Sequence, residues 1–331
     1  MIEQRPLGRS GPRVSAFGLG LMGMSAVYGP ADRKESIATI HQALDAGINL
    51  LDTGDFYGMG HNELLIAEAL KGRRREDVLL SVKFGAQRDP AGGWIGFDGR
   101  PAAVKTALAY SLQRLHTDHV DIYRPARLDP NVPIEDTIGA IADLVKAGFV
   151  RHIGLSEVGS ETIRRAAKVH PICDLQIEYS LISRSIEDNI LATCRELGIA
   201  ITAYGVLSRG LISGRWTKTS AGTSDWRSAS PRFQDGNVDH NLKLVDGLRR
   251  VADRLGASVA QIAIAWVVSR GEDIIPVIGA RKREQLTESL AALDVRLSAS
   301  DLAAIEAAVP KGAAAGSRYA ESAMAHLDSE R

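Results

Sequence analysis

Two cysteines in 331 residues, Cys173 and Cys194, are too few for a disulfide framework, and neither stands in a CxxC or similar metal spacing. That excludes a stapled scaffold and a cysteine zinc site, and it makes a reducing cytoplasm the expected compartment. A net charge of one sign is also missing. Lys+Arg and Asp+Glu number 40 each, so no global field draws the chain to nucleic acid or to an anionic membrane. Any anion site has to be local. No run of about 18 apolar residues occurs, and Met1-Ile2-Glu3-Gln4-Arg5-Pro6 has no apolar core of a signal peptide. Neither a membrane span nor a leader is expected. A GxGxxG element opening a βα unit is absent too.

What the chain does contain is alternation. With 45% hydrophobic and 24% charged residues it can bury a large core, and residues 1–331 read as one domain. Strand-like runs cover Val14 to Leu19, Asn49 to Asp52, Val78 to Lys83, Val120 to Tyr123, His152 to Leu155, Leu175 to Tyr179, Ala200 to Tyr204 and Ile274 to Ile278. Helix-period segments follow them, near Arg33–Ala46, Glu63–Lys71, Ala102–Leu115, Ile134–Lys146, Ser160–Val169, Ile186–Leu197, Leu242–Gly256 with Val259–Val268, and Arg283–Leu293. About eight βα units without a Pro/Ser-rich linker predict a closed (β/α)8 TIM barrel. Leu7-Gly8-Arg9-Ser10-Gly11-Pro12 reads as a hairpin turn ahead of it. Gly205 to Asn241 reads as a long loop after strand 7, of the kind that forms lids. The Ala/Gly-rich tail after Pro310 is placed to cross a barrel face.

In such a barrel, ligand chemistry belongs at the C-terminal strand ends. Asp52, Lys83, Ser156, Glu157, Gln176 and Tyr204 all fall there. A buried lysine near a phenol favours the phenolate, and a carboxylate holds the ammonium in place, so Tyr57 could give a proton to a carbonyl oxygen as hydride reaches the carbon. Taken singly, each residue has an ordinary structural role: Asp52 capping a turn, Tyr57 half-buried, Lys83 snorkelling.

Taken together and in order, Asp52-Thr53-Gly54-Asp55-Phe56-Tyr57-Gly58 with Glu63, Ser81-Val82-Lys83-Phe84-Gly85, Gly154-Leu155-Ser156-Glu157 and Ile275-Pro276-Val277-Ile278-Gly279-Ala280-Arg281 resemble the aldo-keto reductases. The resemblance runs from Gly18-Leu19-Gly20-Leu21-Met22-Gly23 to Arg318-Tyr319. It implies a barrel that binds NADPH without a Rossmann domain, with which the missing GxGxxG agrees. It implies Tyr57 as general acid tuned by Lys83 and Asp52, Ser156 and Gln176 on the nicotinamide carboxamide, and Tyr204 stacked on the ring. Gly279 and Arg281 match the adenosine-phosphate end, with Gln285, Glu288 and Ser289 nearby, and Arg281 favours NADPH over NADH. Gly20, Leu21, Met22, Glu157, Val206, Leu207, Arg209 and Gly210 complete the implied cofactor contacts, Arg209 on the pyrophosphate. The implied partner is a small carbonyl compound; no metal, nucleic acid or membrane is expected.

One departure stands out. Where the family usually carries a histidine before an arginine, Pro125-Ala126-Arg127 has Ala126. Its loss weakens catalysis on ordinary ketones, widens the site, or shifts the donor role to Arg124, Arg127 or a water. Glu157 and Ser289 each replace a commoner Asn, and Gly205-Val206-Leu207-Ser208-Arg209-Gly210 replaces a Ser-Pro-Leu turn. Ala126, Arg124, Arg127 and Trp94 are the expected substrate pocket, with Phe97, Trp216, Trp226 and Phe233 as further loop aromatics. Three functions follow: an NADPH-dependent reductase of aldehydes, with ketones as a second class, an NADPH-binding regulatory or redox-sensing subunit with slow turnover, and a Schiff-base lyase or aldolase using Lys83.

Overall fold

Strand positions two apart share a face, so alternation along eight parallel strands decides what fills a barrel. A computed structural model describes residues 2–25, 28–217, 227, 230–234 and 236–331. Its barrel strands are β3 (Gly18–Gly20), β4 (Leu50–Gly54), β5 (Leu79–Phe84), β8 (Val120–Pro125), β9 (Val150–Ser156), β10 (Ile172–Glu178), β11 (Ala200–Tyr204) and β12 (Ile274–Gly279). They close in chain order, β12 pairing with β3.

The hairpin β1 (Gln4–Pro6) and β2 (Arg13–Ser15) plugs the lower end. Leu7 and Val14 are buried against Leu50, Ile122, Cys173, Ala200 and Ile275, an apolar bottom layer. Gly8, at φ +71°, makes the turn possible, because a Cβ there would stand 2.3 Å from the Cys173 carbonyl oxygen. The run Val14 to Leu19 therefore divides into a hairpin strand and a barrel strand. Ser15 causes the break: its hydroxyl donates to the Phe17 carbonyl at 2.5 Å and its amide donates to Asn49.

Helices α1 (Arg33–Asp45), α2 (His61–Ala69), α3 (Pro101–Leu115), α4 (Ile134–Lys146), α5 (Ser160–Val169), α6 (Ile190–Leu197), α7 (Asn237–Arg254), α8 (Val259–Val268) and α9 (Arg283–Leu290) surround the barrel. Their starts follow local chemistry: Asp32 caps α1, Pro101 opens α3, and Ser258 and Gln261 form a capping box on α8. Segment 186–197 enters α6 through a short 3-10 turn rather than as one helix. The expected loop holding Trp94 and Phe97 is a hairpin, β6 (Ala86–Arg88) with β7 (Trp94–Phe97), standing above β5. After α10 (Ala299–Ala308), the tail crosses the upper face and ends in α11 (Glu321–Met324) and a last turn. Of the loop after β11, Trp226 lies outside the described residues.

No helix among the described residues is long and apolar enough to cross a membrane by itself. Cys173 and Cys194 are buried free thiols.

Candidate active site

Above the apolar bottom layer, the interior turns polar. Arg124 on β8 is fully buried and reaches Asp174 on β10 at 2.8 Å, Thr202 on β11 at 3.2 Å and Ser81 on β5 at 3.0 Å. Thr202 donates to the same Asp174 at 2.5 Å. Gly154 allows this pair to form, since a Cβ there would fall 2.6 Å from an Asp174 oxygen. Arg124 is thus a structural cation below the mouth, and the expectation that it lines the substrate pocket is corrected: both Nη atoms are engaged by Asp174, Thr202 and Ser81, and among the described residues only the buried Nε has no partner.

One layer up, Lys83 on β5 and Asp52 on β4 form a buried ion pair, Nζ to Oδ2 at 2.7 Å. The other Asp52 oxygen accepts from Gln176 at 2.8 Å and Ser81 at 3.1 Å. Burial lowers the Lys83 pKa, and Asp52 opposes that shift. The net result is a pKa of about 8, with Asp52 holding the ammonium in place. Tyr57, in the turn between β4 and α2, lies with its ring centroid 5.1 Å from Lys83 Nζ. No hydrogen bond of its hydroxyl is found among the described residues. Burial, with Asp52, pushes the phenol well above its ordinary pKa, while Arg127 pulls it down. The phenol therefore keeps its proton at neutral pH. Phe56 packs edge-on against Tyr57 at 4.8 Å and Trp94 against Phe56 at 6.3 Å, so the β6–β7 hairpin brings Trp94 to the rim. Ala126 is buried at the end of β8, its amide donating to the Phe84 carbonyl at 2.8 Å.

Ser156 on β9 and Gln176 on β10 are register partners, side by side across the mouth from Tyr57's turn. Ser156 is buried, and no hydrogen bond of its hydroxyl is found among the described residues. Gly20 pairs with both Asp52 and Gly279, and Leu21 donates to the Asp52 carbonyl, which sets the β3 end against the ion pair. Met22 follows in a half-buried turn. Val206 is buried and Leu207 half-buried, leading into Ser208, Arg209 and Gly210, all at positive φ. Two of these are not glycine, so the turn is strained next to the site.

Glu157 departs furthest from the simple expectation. It too has a positive φ, 53°, which suits Asn better than Glu. Five hydrogen bonds offset that cost: from both Arg318 nitrogens at 3.1 and 2.8 Å, Tyr204 at 2.7 Å, Ser329 at 2.7 Å and the Glu178 amide at 2.9 Å. Burial raises its pKa, but Arg318, aided by the field of Arg127 and the Ser329 hydrogen bond, more than reverses this and holds the carboxylate at about 2. Glu157 is consequently committed to the tail, and its expected cofactor contact is replaced by this clamp. Glu178, two residues after Gln176, meets Arg209 at 3.2 Å, Arg232 at 3.4 Å and Arg318 at 3.6 Å. Tyr319 bonds the Tyr204 hydroxyl at 3.0 Å, beneath the Arg209 guanidinium at 4.3 Å. Arg318 and Tyr319 mark the end of the resemblance but were assigned no role, and Glu178 and Arg232 were not singled out in sequence. Glu178 alone was within reach, since it shares a strand face with Gln176.

At the β12 end, Arg281 Nη1 donates to the carbonyls of Tyr28, Gly29 and Pro30, and its amide donates to Gln285. Nε and Nη2 stay unclaimed among the described residues, and a Cβ at Gly279 would meet nothing within 4 Å. Glu288 is paired with Arg215 at 2.9 Å. Ser289 is buried with its hydroxyl on the Gln285 carbonyl of its own helix, so it does not face a ligand, which corrects its expected role.

Asp55 was not assigned a role in sequence. One of its carboxyl oxygens is buried without a hydrogen bond, and burial, with Glu63 nearby, raises its pKa to about 7. A raised folded pKa means that the fold holds this proton more tightly than the unfolded chain. Stability is then lost as pH rises from the ordinary value of 3.8 through about 7. The urea midpoint of the protein is expected to fall between about pH 5 and about pH 8, and Asp55→Asn is expected to remove that part of the fall. Equal slopes in the two proteins would contradict the assignment.

A closed eight-stranded barrel with Tyr57 poised over a Lys83–Asp52 pair is an oxidoreductase architecture, and the chain belongs to the aldo/keto reductase family, whose profile matches residues 16–310. A Glycine max protein named Probable aldo-keto reductase 1 is 41% identical over 325 residues, 96% of this chain and 92% of that one. Among solved structures, the glycerol dehydrogenase AKR11B4 from Gluconobacter oxydans superposes with a TM-score of 0.84 at 27% identity, covering 92% of this chain and 94% of that one. The aldo-keto reductase AKR11C1 from Bacillus halodurans, a holo form, gives 0.77 at 28% identity, covering 93% and 97%. The family uses nicotinamide cofactors and acts on small carbonyl compounds. The residues here fit such a group: adjacent Ser156 and Gln176 amide or hydroxyl donors, an aromatic Tyr204, and partly unclaimed Arg281 beside open Gly279.

Proposed function

We propose that this chain, acting as a single barrel domain in the cytoplasm, reduces aldehydes, and ketones as a second class, with NADPH. The observation that supports this most is the Tyr57 hydroxyl, with no hydrogen bond among the described residues, near the Lys83–Asp52 pair. Ser156, Gln176 and Tyr204 would hold the nicotinamide end, and Arg281 with Lys282 the phosphate end, where free cationic donors favour a 2′-phosphate. When bound, the cofactor supplies the hydride. The chain's own part is to orient the carbonyl toward Tyr57, to hold the phenol proton until the oxygen needs it, and to keep Lys83 charged behind the ring through Asp52. Lys83 and Asp52 are second-row groups: they act on Tyr57 rather than on the substrate.

The test is optical NADPH consumption with an activated aromatic aldehyde, with NADH in parallel. Turnover with NADPH at least several-fold above NADH supports the reading; binding without consumption of either across aldehydes and ketones sinks it. Ala126 leaves the carbonyl oxygen without the usual imidazole. Ala126→His is accordingly expected to raise kcat/KM on simple ketones on the order of tenfold, as an added donor to a developing oxyanion does. An unchanged rate would show that position 126 does not face the carbonyl.

A second reading, an NADPH-binding regulatory subunit with slow turnover, draws support from Ala126 and from the tail clamped on Glu157 and Glu178. The same assay separates the two.

A further inference from the structure

The buried arginines of the barrel interior and mouth have carboxylate partners: Arg124 on Asp174, Arg209 and Arg232 on Glu178, Arg318 on Glu157. Arg127 differs. It follows Ala126 at the end of β8, and its side chain folds back so that Nη1 donates to the Ala126 carbonyl at 2.6 Å. The guanidinium is half-buried there and has no acidic partner among the described residues. Glu157, which its field reaches, is already saturated by Arg318, Tyr204, Ser329 and the Glu178 amide. Its charge also reaches Tyr57. Burial disfavours its charge, and the fields of Tyr204, Tyr319 and Glu157 offset that from a distance; no direct ion pair occupies the guanidinium among the described residues, which leaves its fork available to an anion brought by the working complex.

That anion is not a cofactor phosphate. β8 is the fourth strand from β3 and β12 the eighth, so Arg127 stands across the barrel from Gly279 and Arg281. Arg127 follows the short Ala126 side chain, and its field reaches Tyr57. We propose that Arg127 binds a carboxylate on the substrate, which makes the preferred substrates aldehydes or ketones that carry a carboxylate near the carbonyl. A guanidinium fork suits a carboxylate through two parallel hydrogen bonds. With a small residue at 126, a substrate anchored at Arg127 can lie with its carbonyl at Tyr57. The inference rests on the reductase reading, and names its substrate class.

Two aldehydes of similar size, 4-carboxybenzaldehyde and 4-methylbenzaldehyde, are compared in the wild type, Arg127→Met and Arg127→Lys. For the carboxylate, Arg127→Met should lose roughly 10- to 100-fold in kcat/KM, the range of a charge-assisted hydrogen bond, mostly in KM. The methyl compound should change little, and Arg127→Lys should retain much of the carboxylate preference. An equal fall for both aldehydes, or none for the carboxylate, overturns the proposal. Benzoate binding by calorimetry gives a readout independent of turnover: the wild type should bind it and Arg127→Met should not, with NADP+ affinity unchanged in both. If the wild type reduces neither aldehyde, the reductase reading fails, while benzoate binding still decides for or against Arg127. Benzoate bound equally by wild type and Arg127→Met overturns the proposal even if both aldehydes turn over.

Discussion

Tyr57→Phe is expected to lower kcat for aldehyde reduction by roughly 10²- to 10⁴-fold, the contribution of a positioned general acid. The substitution keeps the ring, and with it the 4.8 Å packing on Phe56 and the 5.1 Å approach of Lys83. It removes only a hydroxyl that makes no hydrogen bond among the described residues, so folding and NADPH affinity should hold. Steady-state kinetics with a fluorescence titration of NADPH would check both. A raised KM at unchanged kcat would mean that the hydroxyl positions substrate and gives no proton. Because burial raises the phenol pKa, reduction by the wild type should not lose its acid on passing from pH 6 to pH 8.

Arg124→Met should give the largest loss of stability, about 3–5 kcal/mol, because it strands Asp174 in the barrel with only Thr202 and Cys173 as neighbouring donors. Urea unfolding measures this directly. Adding Asp174→Asn should recover part of the loss, since the deficit is an unpaired buried charge more than a missing contact. The surface pair Arg164–Glu196 is a control of similar bond length, at 2.6 Å, but with both side chains well exposed. Breaking it should cost about 1 kcal/mol or less. Comparable losses at the two sites would refute the view that burial sets the energetics here.

The barrel was legible because its strands and helices carry their own local signals. Ala200–Tyr204, Ile134–Lys146, Ser160–Val169 and Val259–Val268 occur within the bounds that periodicity and turn residues indicate. Asp52, Lys83 and Tyr57 were legible because they end or follow consecutive strands, and parallel strands in a barrel bring such residues to one rim. The β6–β7 hairpin was missed because Ala86–Arg88 is short and polar, with nothing to mark alternation. Ser289 was misplaced because a hydroxyl in a helix can turn back to its own backbone, and spacing does not report that choice. Arg124 and Arg127 look alike in sequence, three residues apart. Strand alternation sends the first inward to Asp174, and the end of the strand frees the second to fold over the mouth.

By itself the sequence determined the barrel, the order of its units and the acid, amine and phenol at its rim, because hydrophobic period and strand-end position are local properties of the chain. Only the tertiary structure decided which charges are spent and which are free. Glu157 goes to Arg318 from a tail 161 residues away, Glu178 gathers Arg209, Arg232 and Arg318, and Arg127 makes no direct ion pair among the described residues. Ion pairing depends on distance and burial in space, and no local pattern along the chain encodes either.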